Sequence, residues 1–211
     1  MDWQLAITRN RDALLAIVAA LMVMVGLRAG GTLTTLPRFL YARALLIVRQ
    51  AESAMRRLIV IAAHALALRG VTRRKARASS TDFAALPALP TNRSPTFNLI
   101  DPLKTFGGDV PDYDGFGAAD FCALPVPATS LALRIAALKH ALDTIPRQAT
   151  RLLRWYAQRD LALARNQPHR LSPMRPGLAP AARRRKKLEV EKVLLECHLL
   201  AVYAGDRRDS S

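Results

Sequence analysis

The sequence predicts a mainly α protein, and three observations support that prediction. Several long stretches repeat apolar residues at helical spacing, the prolines gather between those stretches, and only 6% of the 211 residues are aromatic. Much of the 51% apolar content is alanine, which favours helices but buries little area. We therefore expect helices packed around a thin core.

The predicted helices and the segments between them divide the chain into seven regions. They are an N-terminal tail, membrane-anchor helix and hinge (1–36), a basic amphipathic helix (37–78), an extended acidic and aromatic loop region rich in proline and glycine (79–129), an amphipathic helix or kinked helix pair (130–166), a proline-rich basic linker (167–187), a C-terminal helix (188–205) and a tail (206–211).

The run Ala13–Leu27, ALLAIVAALMVMVGL, is uncharged and follows Trp3, Arg9 and Arg11, which resemble interfacial anchors. A bilayer core takes about 20 apolar residues, so the run is marginal in length. A transmembrane helix is the favoured interpretation. A cleaved signal peptide, a buried helix of a bundle and a helix lying flat in the interface stay open. The positive-inside rule places the C-terminal bulk in the cytoplasm, at an inner membrane of bacterial type.

From Pro37 to about Arg69 the sequence predicts one long helix. At 100° per residue, Arg38, Arg49 and Arg56 fall on one side and apolar residues fall opposite. A basic amphipathic helix after a membrane segment is expected to lie along the headgroups. The stretch 58–68 is apolar all round, so re-entry into the membrane stays open. RGVTRRKAR then follows as a polybasic patch.

The region 79–129 differs in composition from the rest of the chain. It has a net charge of −4, between flanking regions of +10 each, and it contains five of the six phenylalanines. We expect a loop whose aromatic side chains dock on the helices, with short strand-like or single-turn pieces around Thr96–Ile100 and Pro102–Phe106. The motif DVPDYDG does not fit a calcium loop, because Val110 and Phe121 stand where ligands are required.

The cleanest periodicity lies in residues 130–165, with Pro146 as its interruption, so either one kinked helix or two helices are expected. We favour a helix that covers a local core over a homomeric coiled coil. The last helix is predicted from Leu188 to Ala204, with Gly205 as its stop. The apolar positions of the repeat are Leu131, Ile135, Leu138, Leu142, Ile145, Ala149, Leu152 and Tyr156.

The sequence contains no motif for catalysis, for a cofactor or for a metal ion. Cys122 and Cys197 lack any metal-ligand spacing, and we expect two buried free thiols. The candidate site residues are therefore cations that would contact anionic lipid or another polyanion: Arg38, Arg49, Arg56, Arg73, Arg74, Lys75, Arg183, Arg184, Arg185, Lys186 and Lys187.

With a net charge of +16, the chain is expected to bind a polyanion. The first hypothesis is a non-enzymatic, membrane-anchored structural or interaction module at the cytoplasmic membrane face, with anionic headgroups and a protein as partners. The alternative is a nucleic-acid-binding protein that uses the basic C-terminal half, through Arg147, Arg151, Arg154 and the run 183–187. The oligomeric state stays open.

Overall fold

The structure, a computed structural model, describes residues 2–27, 34–68, 96–102, 125–175 and 188–209, together with residues 177, 179 and 182. The predicted mainly α class is confirmed in these residues, which form five helices and one two-stranded sheet. The elements are α1 (Trp3–Met24), β1 (Thr35–Pro37), α2 (Arg38–Leu68), β2 (Pro125–Pro127), α3 (Thr129–Asp143), α4 (Ile145–Ala164) and α5 (Glu189–Asp209).

Helix α2 is the centre of the fold and packs against the other four helices. It has 31 residues and no internal proline or glycine, so nothing in its sequence interrupts it. Between residues 50 and 63 every side chain is buried except that of Glu52, which is half-buried. The prediction that this helix lies along headgroups is therefore wrong for its middle. The apolar stretch 58–68 also packs against protein for most of its length.

The two strands fix where α2 and α3 begin. They pair antiparallel, with Leu36 opposite Val126, and the Ala128 N–H donates to the Thr34 carbonyl at 2.9 Å. Because α2 starts right after β1 and α3 starts just after β2, the two helices begin side by side. The predicted strand-like piece at Thr96–Ile100 is irregular instead, and Phe106 lies outside the described residues.

Helix α1 contains the apolar run that was predicted to be a membrane anchor. No helix among the described residues is both long and apolar enough to cross a membrane. The helix starts ten residues before the run, where the Asp2 carboxylate accepts hydrogen bonds from the N–H groups of Gln4 and Leu5. One face, with Leu14, Leu21 and other apolar residues, is buried against the bundle. One face of the run therefore belongs to the core, and the predicted membrane-spanning helix is not found among the described residues.

Residues 130–165 form two helices, α3 and α4, separated at Thr144. Pro146 lies in the first turn of α4, where the missing N–H leaves no hydrogen bond unmade. Every apolar position of the predicted repeat is buried, and the repeat packs within this chain. The buried residues are Leu131, Ile135, Leu138, Leu142, Ile145, Ala149, Leu152 and Tyr156.

Helix α5 packs along α2 and runs past its predicted end. Gly205 lies within the helix instead of stopping it, and Ala204 beside it is still 98% buried, so packing continues there. Cys197 is a free, buried thiol on this helix, as expected, whereas Cys122 lies outside the described residues.

Candidate functional site

Four side chains form a cluster at the middle of α2, which we name the polar joint: Ser53, Arg57 and Asp101, which are buried, and His198, which is half-buried. The Arg57 side chain has no solvent exposure, and neither does that of Asp101. Arg57 Nη2 donates to Asp101 Oδ2 at 3.0 Å, Nη1 donates to the Ser53 carbonyl at 2.8 Å, and Nε donates to His198 Nδ1 at 3.2 Å. The joint therefore connects α2, the segment 96–102 and α5.

Asp101 extends the joint to a fourth part of the chain, residues 170–175. Its Oδ2 accepts the Arg175 N–H at 3.1 Å, and its own N–H donates to the Pro173 carbonyl at 2.9 Å. Arg170 Nη1 donates to the Asp101 carbonyl at 2.7 Å. Two segments without regular secondary structure are thus held against the helices by bonds to one residue.

A second ionic cluster lies on the same helix, where Glu52 and Arg56 each precede a residue of the polar joint by one position. Both Glu52 oxygens accept from Arg134 of α3, at 2.8 and 2.7 Å. Arg56 Nη2 lies 3.6 Å from Glu52 Oε2, and Arg56 Nη1 lies 3.8 Å from Asp101 Oδ1. Arg56 Nε donates to the Asn98 carbonyl at 3.0 Å, and the guanidinium carbon lies 5.6 Å from the centre of the Phe97 ring. The prediction that Arg56 contacts lipid is therefore wrong, because the side chain is buried among protein partners.

Burial and neighbouring charges shift the protonation of the groups on α5. The pKa of His198 is lowered, first by burial and then by the Arg57 cation, while Asp101 acts in the opposite direction. Burial raises the pKa of the Cys197 thiol to about 12. The Cys197 thiol therefore stays protonated at neutral pH and is a poor nucleophile.

The other cations predicted to contact a polyanion differ in their solvent exposure, and some lie outside the described residues. Arg49 is exposed and Arg38 is half-buried, while residues 73–75 and 183–187 lie outside the described residues. Helix α4 presents three further exposed arginines at spacings of four and three: Arg147, Arg151 and Arg154. Of these, Arg151 also donates to the Phe97 carbonyl at 3.0 Å.

The outward face of α1 is the most unusual surface in the described part of the chain. Between Ala13 and Met24 its exposed residues are all apolar, and Val23 is 82% exposed. We name this surface the α1 stripe, and it consists of Ala16, Ala19, Ala20 and Val23. The opposite face of the same helix is the one buried on the bundle, so the helix is apolar on both sides.

A second exposed apolar surface lies where α5 approaches the start of α1. The Tyr203 ring lies 6.0 Å from the Trp3 ring, which in turn lies 5.2 Å from the His64 ring, edge to face. Leu199 and Val202 are exposed beside Tyr203 on α5. Arg9 and Glu196 form an ion pair one to two turns away, so these two charges neutralise each other.

Within the described residues, no group of three or more histidine, cysteine, aspartate or glutamate side chains could hold a metal ion. A small apolar cleft of about 80 Å³ opens between α1, α2 and the start of α4, lined by Gln4, Ile7, Ala62, Ala65, Leu66, Ile145 and Pro146.

The chain matches no protein-family model, and comparison with curated proteins and with solved structures finds no match either.

Proposed function

We propose that the protein is a peripheral module that binds an anionic bilayer, at the cytoplasmic face of a bacterial inner membrane, with α1 lying flat in the interface. It acts by location and contact instead of catalysis. The observation that carries this proposal is the α1 stripe: a helix whose core-facing side is satisfied by α2 still presents Ala16, Ala19, Ala20 and Val23 outward.

We favour α1 lying flat in the membrane interface over α1 spanning the bilayer, because only one of its faces is free to contact lipid. Leu14, Val18 and Leu21 are buried against the bundle and cannot face lipid without leaving it. A helix whose apolar face enters the headgroup boundary needs that face alone. The α1 stripe extends from Ala16 to Val23, eight residues, which is roughly 12 Å of helix.

Positive charge supplies the second signal that stable membrane attachment requires. The chain carries a net charge of +16, and Arg43 and Arg49 are exposed on the first half of α2. The sequence runs from Leu68 directly into RGVTRRKAR. Each basic group near an anionic leaflet contributes about 1 kcal/mol.

The end of α5 supports the same assignment. Trp3 and Tyr203 are the residue types that settle at the headgroup level, and they lie in contact, with Leu199 and Val202 exposed nearby. The neutralised Arg9–Glu196 pair between this surface and the α1 stripe adds little repulsion from lipid.

The test is co-sedimentation of the full chain with vesicles of phosphatidylcholine containing about one quarter phosphatidylglycerol. We expect binding to these vesicles and much weaker binding to pure phosphatidylcholine. The variant Ala20→Glu/Val23→Glu should bind roughly tenfold more weakly or worse, because it places two carboxylates in the apolar boundary.

The chain offers a matched control on α3, where Ala136 and the 61% exposed Leu133 have the same spacing of three residues. Leu133→Glu/Ala136→Glu changes the net charge equally and should bind as the unmodified chain does. Equal losses in the two variants would show attraction by net charge alone. Absence of binding to the anionic vesicles would refute the proposal.

Nucleic acid is the second candidate, and the exposed arginine row Arg147, Arg151 and Arg154 favours it. The neighbouring aromatic residues give nucleic-acid binding less support, because Tyr156 is buried and Trp155 packs on Tyr156 and His169.

Fluorescence anisotropy with short duplex and single-stranded oligonucleotides tests nucleic-acid binding. If this candidate is right, affinity falls about 10³-fold or more between roughly 50 and 200 mM salt, and changing the three arginines to glutamine lowers the salt slope by about 2 to 3. Salt-independent or absent binding would remove it.

A further inference from the structure

The polar joint contains one group whose charge changes between pH 5 and 8, and that group is His198. Its Nδ1 accepts the Arg57 Nε–H at 3.2 Å, so the ring is neutral and carries a lone pair at that nitrogen. The ring is half-buried, unlike Arg57 and Asp101, so protons reach it without unfolding of the bundle.

Protonation at Nδ1 removes the acceptor and replaces it with an N–H donor. Arg57 then loses the partner of its Nε–H, and a second cation stands about 3 Å from its own charge. The guanidinium has no room to withdraw, because its other nitrogens are bound to Ser53 and Asp101 inside the core. The strain therefore falls on the contacts that hold α5 and the two irregular segments to α2.

We propose that the polar joint is an acid-sensitive switch: protonation of His198 loosens α5 and the segments 96–102 and 170–175 from α2. The chain thereby changes the anchoring of three regions in response to one proton. This inference is independent of whether the protein binds membranes.

The charges around His198 determine the direction of the effect. Arg57 faces the ring from α2 and Asp101 faces it from the segment 96–102, while on α5 itself the flanking Cys197 thiol is neutral because its pKa is raised. Arg9 of α1 is engaged by Glu196. Burial and Arg57 together outweigh Asp101, so the pKa of His198 is lower in the folded chain than its ordinary value.

The lowered pKa of His198 determines how the stability of the fold changes with pH. The unfolded chain takes up a proton at this histidine first, at about pH 6.5. The stabilisation given by the neutral ring is therefore complete above pH 6.5 and declines as the pH falls below it, until the folded form is protonated as well.

Hydrogen exchange of single amides in the full chain tests the switch. Two N–H groups report directly on the joint: that of Asp101, bonded to the Pro173 carbonyl, and that of Arg175, bonded to Asp101 Oδ2. After correction for intrinsic rates, we expect their protection to fall roughly two- to tenfold between pH 7.5 and 5, the effect of losing about one internal hydrogen bond.

Histidine variants identify the sensor. His198→Gln retains an acceptor oxygen without a titrating group, and should abolish the pH dependence of both amides. His140→Gln, at an exposed position of α3, should retain it, and so should His169→Gln, whose ring lies beside the segment 170–175. A pH dependence that persists in His198→Gln, or that disappears in His169→Gln, overturns the proposal.

A measurement on the unmodified chain covers the case in which His198→Gln does not fold. The ring carbon protons of His198 should titrate by NMR below the ordinary histidine value of about 6.5, and the Arg57 Nε–H resonance should shift with the same midpoint. Titration of His198 at or above 6.5, or an Arg57 resonance that does not move with it, refutes the switch.

Discussion

Arg57 lies wholly inside the bundle, and its five N–H donors have an acceptor on each side. Ser53 supplies a carbonyl and a hydroxyl, Asp101 supplies two carboxylate oxygens and His198 supplies a ring nitrogen. Removing such a charge from water costs several kcal/mol, which only good geometry and complete hydrogen bonding offset. Each nitrogen of the Arg57 guanidinium has at least one acceptor in the joint, so the parts of the joint depend on each other strongly.

Asp101→Asn tests that dependence. The change leaves the Arg57 cation buried beside a neutral amide, so we expect a loss of about 3–5 kcal/mol in the free energy of unfolding, measured by urea denaturation. Glu196→Gln removes the carboxylate of the exposed pair with Arg9 and should cost no more than about 1 kcal/mol. Similar costs for the two variants would contradict the burial of the joint.

Cys197 gives a second prediction at the scale of single residues. Its pKa of about 12 leaves very little thiolate at pH 8, and the side chain is fully buried. In a Cys122→Ser background, we expect thiol–disulfide exchange at Cys197 to be about a thousandfold slower in the folded chain than after unfolding in urea. The thiol–disulfide reagent DTNB measures both rates, and rapid reaction of the folded chain would show that the helix α5 is not packed as described.

The polar residues of the core are also where sequence reasoning failed. Arg56 follows Glu52 by four residues and so resembles a solvated surface pair. Its environment is set by partners that are distant in the chain, because Asp101 lies 44 residues from Arg57 and Arg134 lies 82 residues from Glu52. The sequence did offer one local indication of this burial: two adjacent arginines stand inside the apolar stretch MRRLIVIAA. A helix that is buried on all sides there requires its charged groups to have partners.

At the scale of elements, the apolar periodicity predicted the buried faces of the helices well, but the sequence predicted the helix ends less well. The repeat across α3 and α4 identified its buried positions because side chains at spacings of three and four share one face. The sequence did not predict that α1 starts at Trp3, although Asp2 is a strong cap, because the polar residues 9–12 separate that cap from the apolar run. Pro146 was compatible with a kink or a break, and local sequence does not distinguish them.

Two leucines on α3 allow that periodicity to be tested. Leu138 is fully buried and Leu133 is 61% exposed, although they lie on the same helix. We expect Leu138→Ala to cost about 2–5 kcal/mol in unfolding free energy, since it removes buried methyl groups and leaves a cavity. Leu133→Ala should change it by less than about 0.5 kcal/mol. Urea denaturation of the two variants measures both changes. A larger loss for Leu133→Ala than for Leu138→Ala would show that the other face of α3 packs against α2.

At the scale of the whole molecule, the positive charge and the apolar surface are arranged differently from the sequence expectation. Two arginines of α2 are used inside the bundle, Arg56 and Arg57, so they are not available to a partner. The apolar run that suggested an anchor has one face in the core and one face outward. In the membrane binding that we propose, the contacts therefore come from surfaces of a folded bundle and not from an appended helix.

Deletion of residues 1–27 distinguishes these two arrangements. An appended anchor could be removed without loss of fold, whereas α1 buries Ile7, Leu14, Val18 and Leu21 in the shared core. At about 1.5–3 kcal/mol for each buried aliphatic side chain, their removal costs roughly 6–12 kcal/mol, which is comparable to the whole stability of a typical domain. We therefore expect the shortened chain to lose its cooperative urea transition by circular dichroism. A control in which only α1 stripe residues are changed, Ala16→Ser/Ala19→Ser, should keep that transition, because both side chains are exposed. Cooperative unfolding of residues 28–211 alone would instead show that α1 is dispensable for the core.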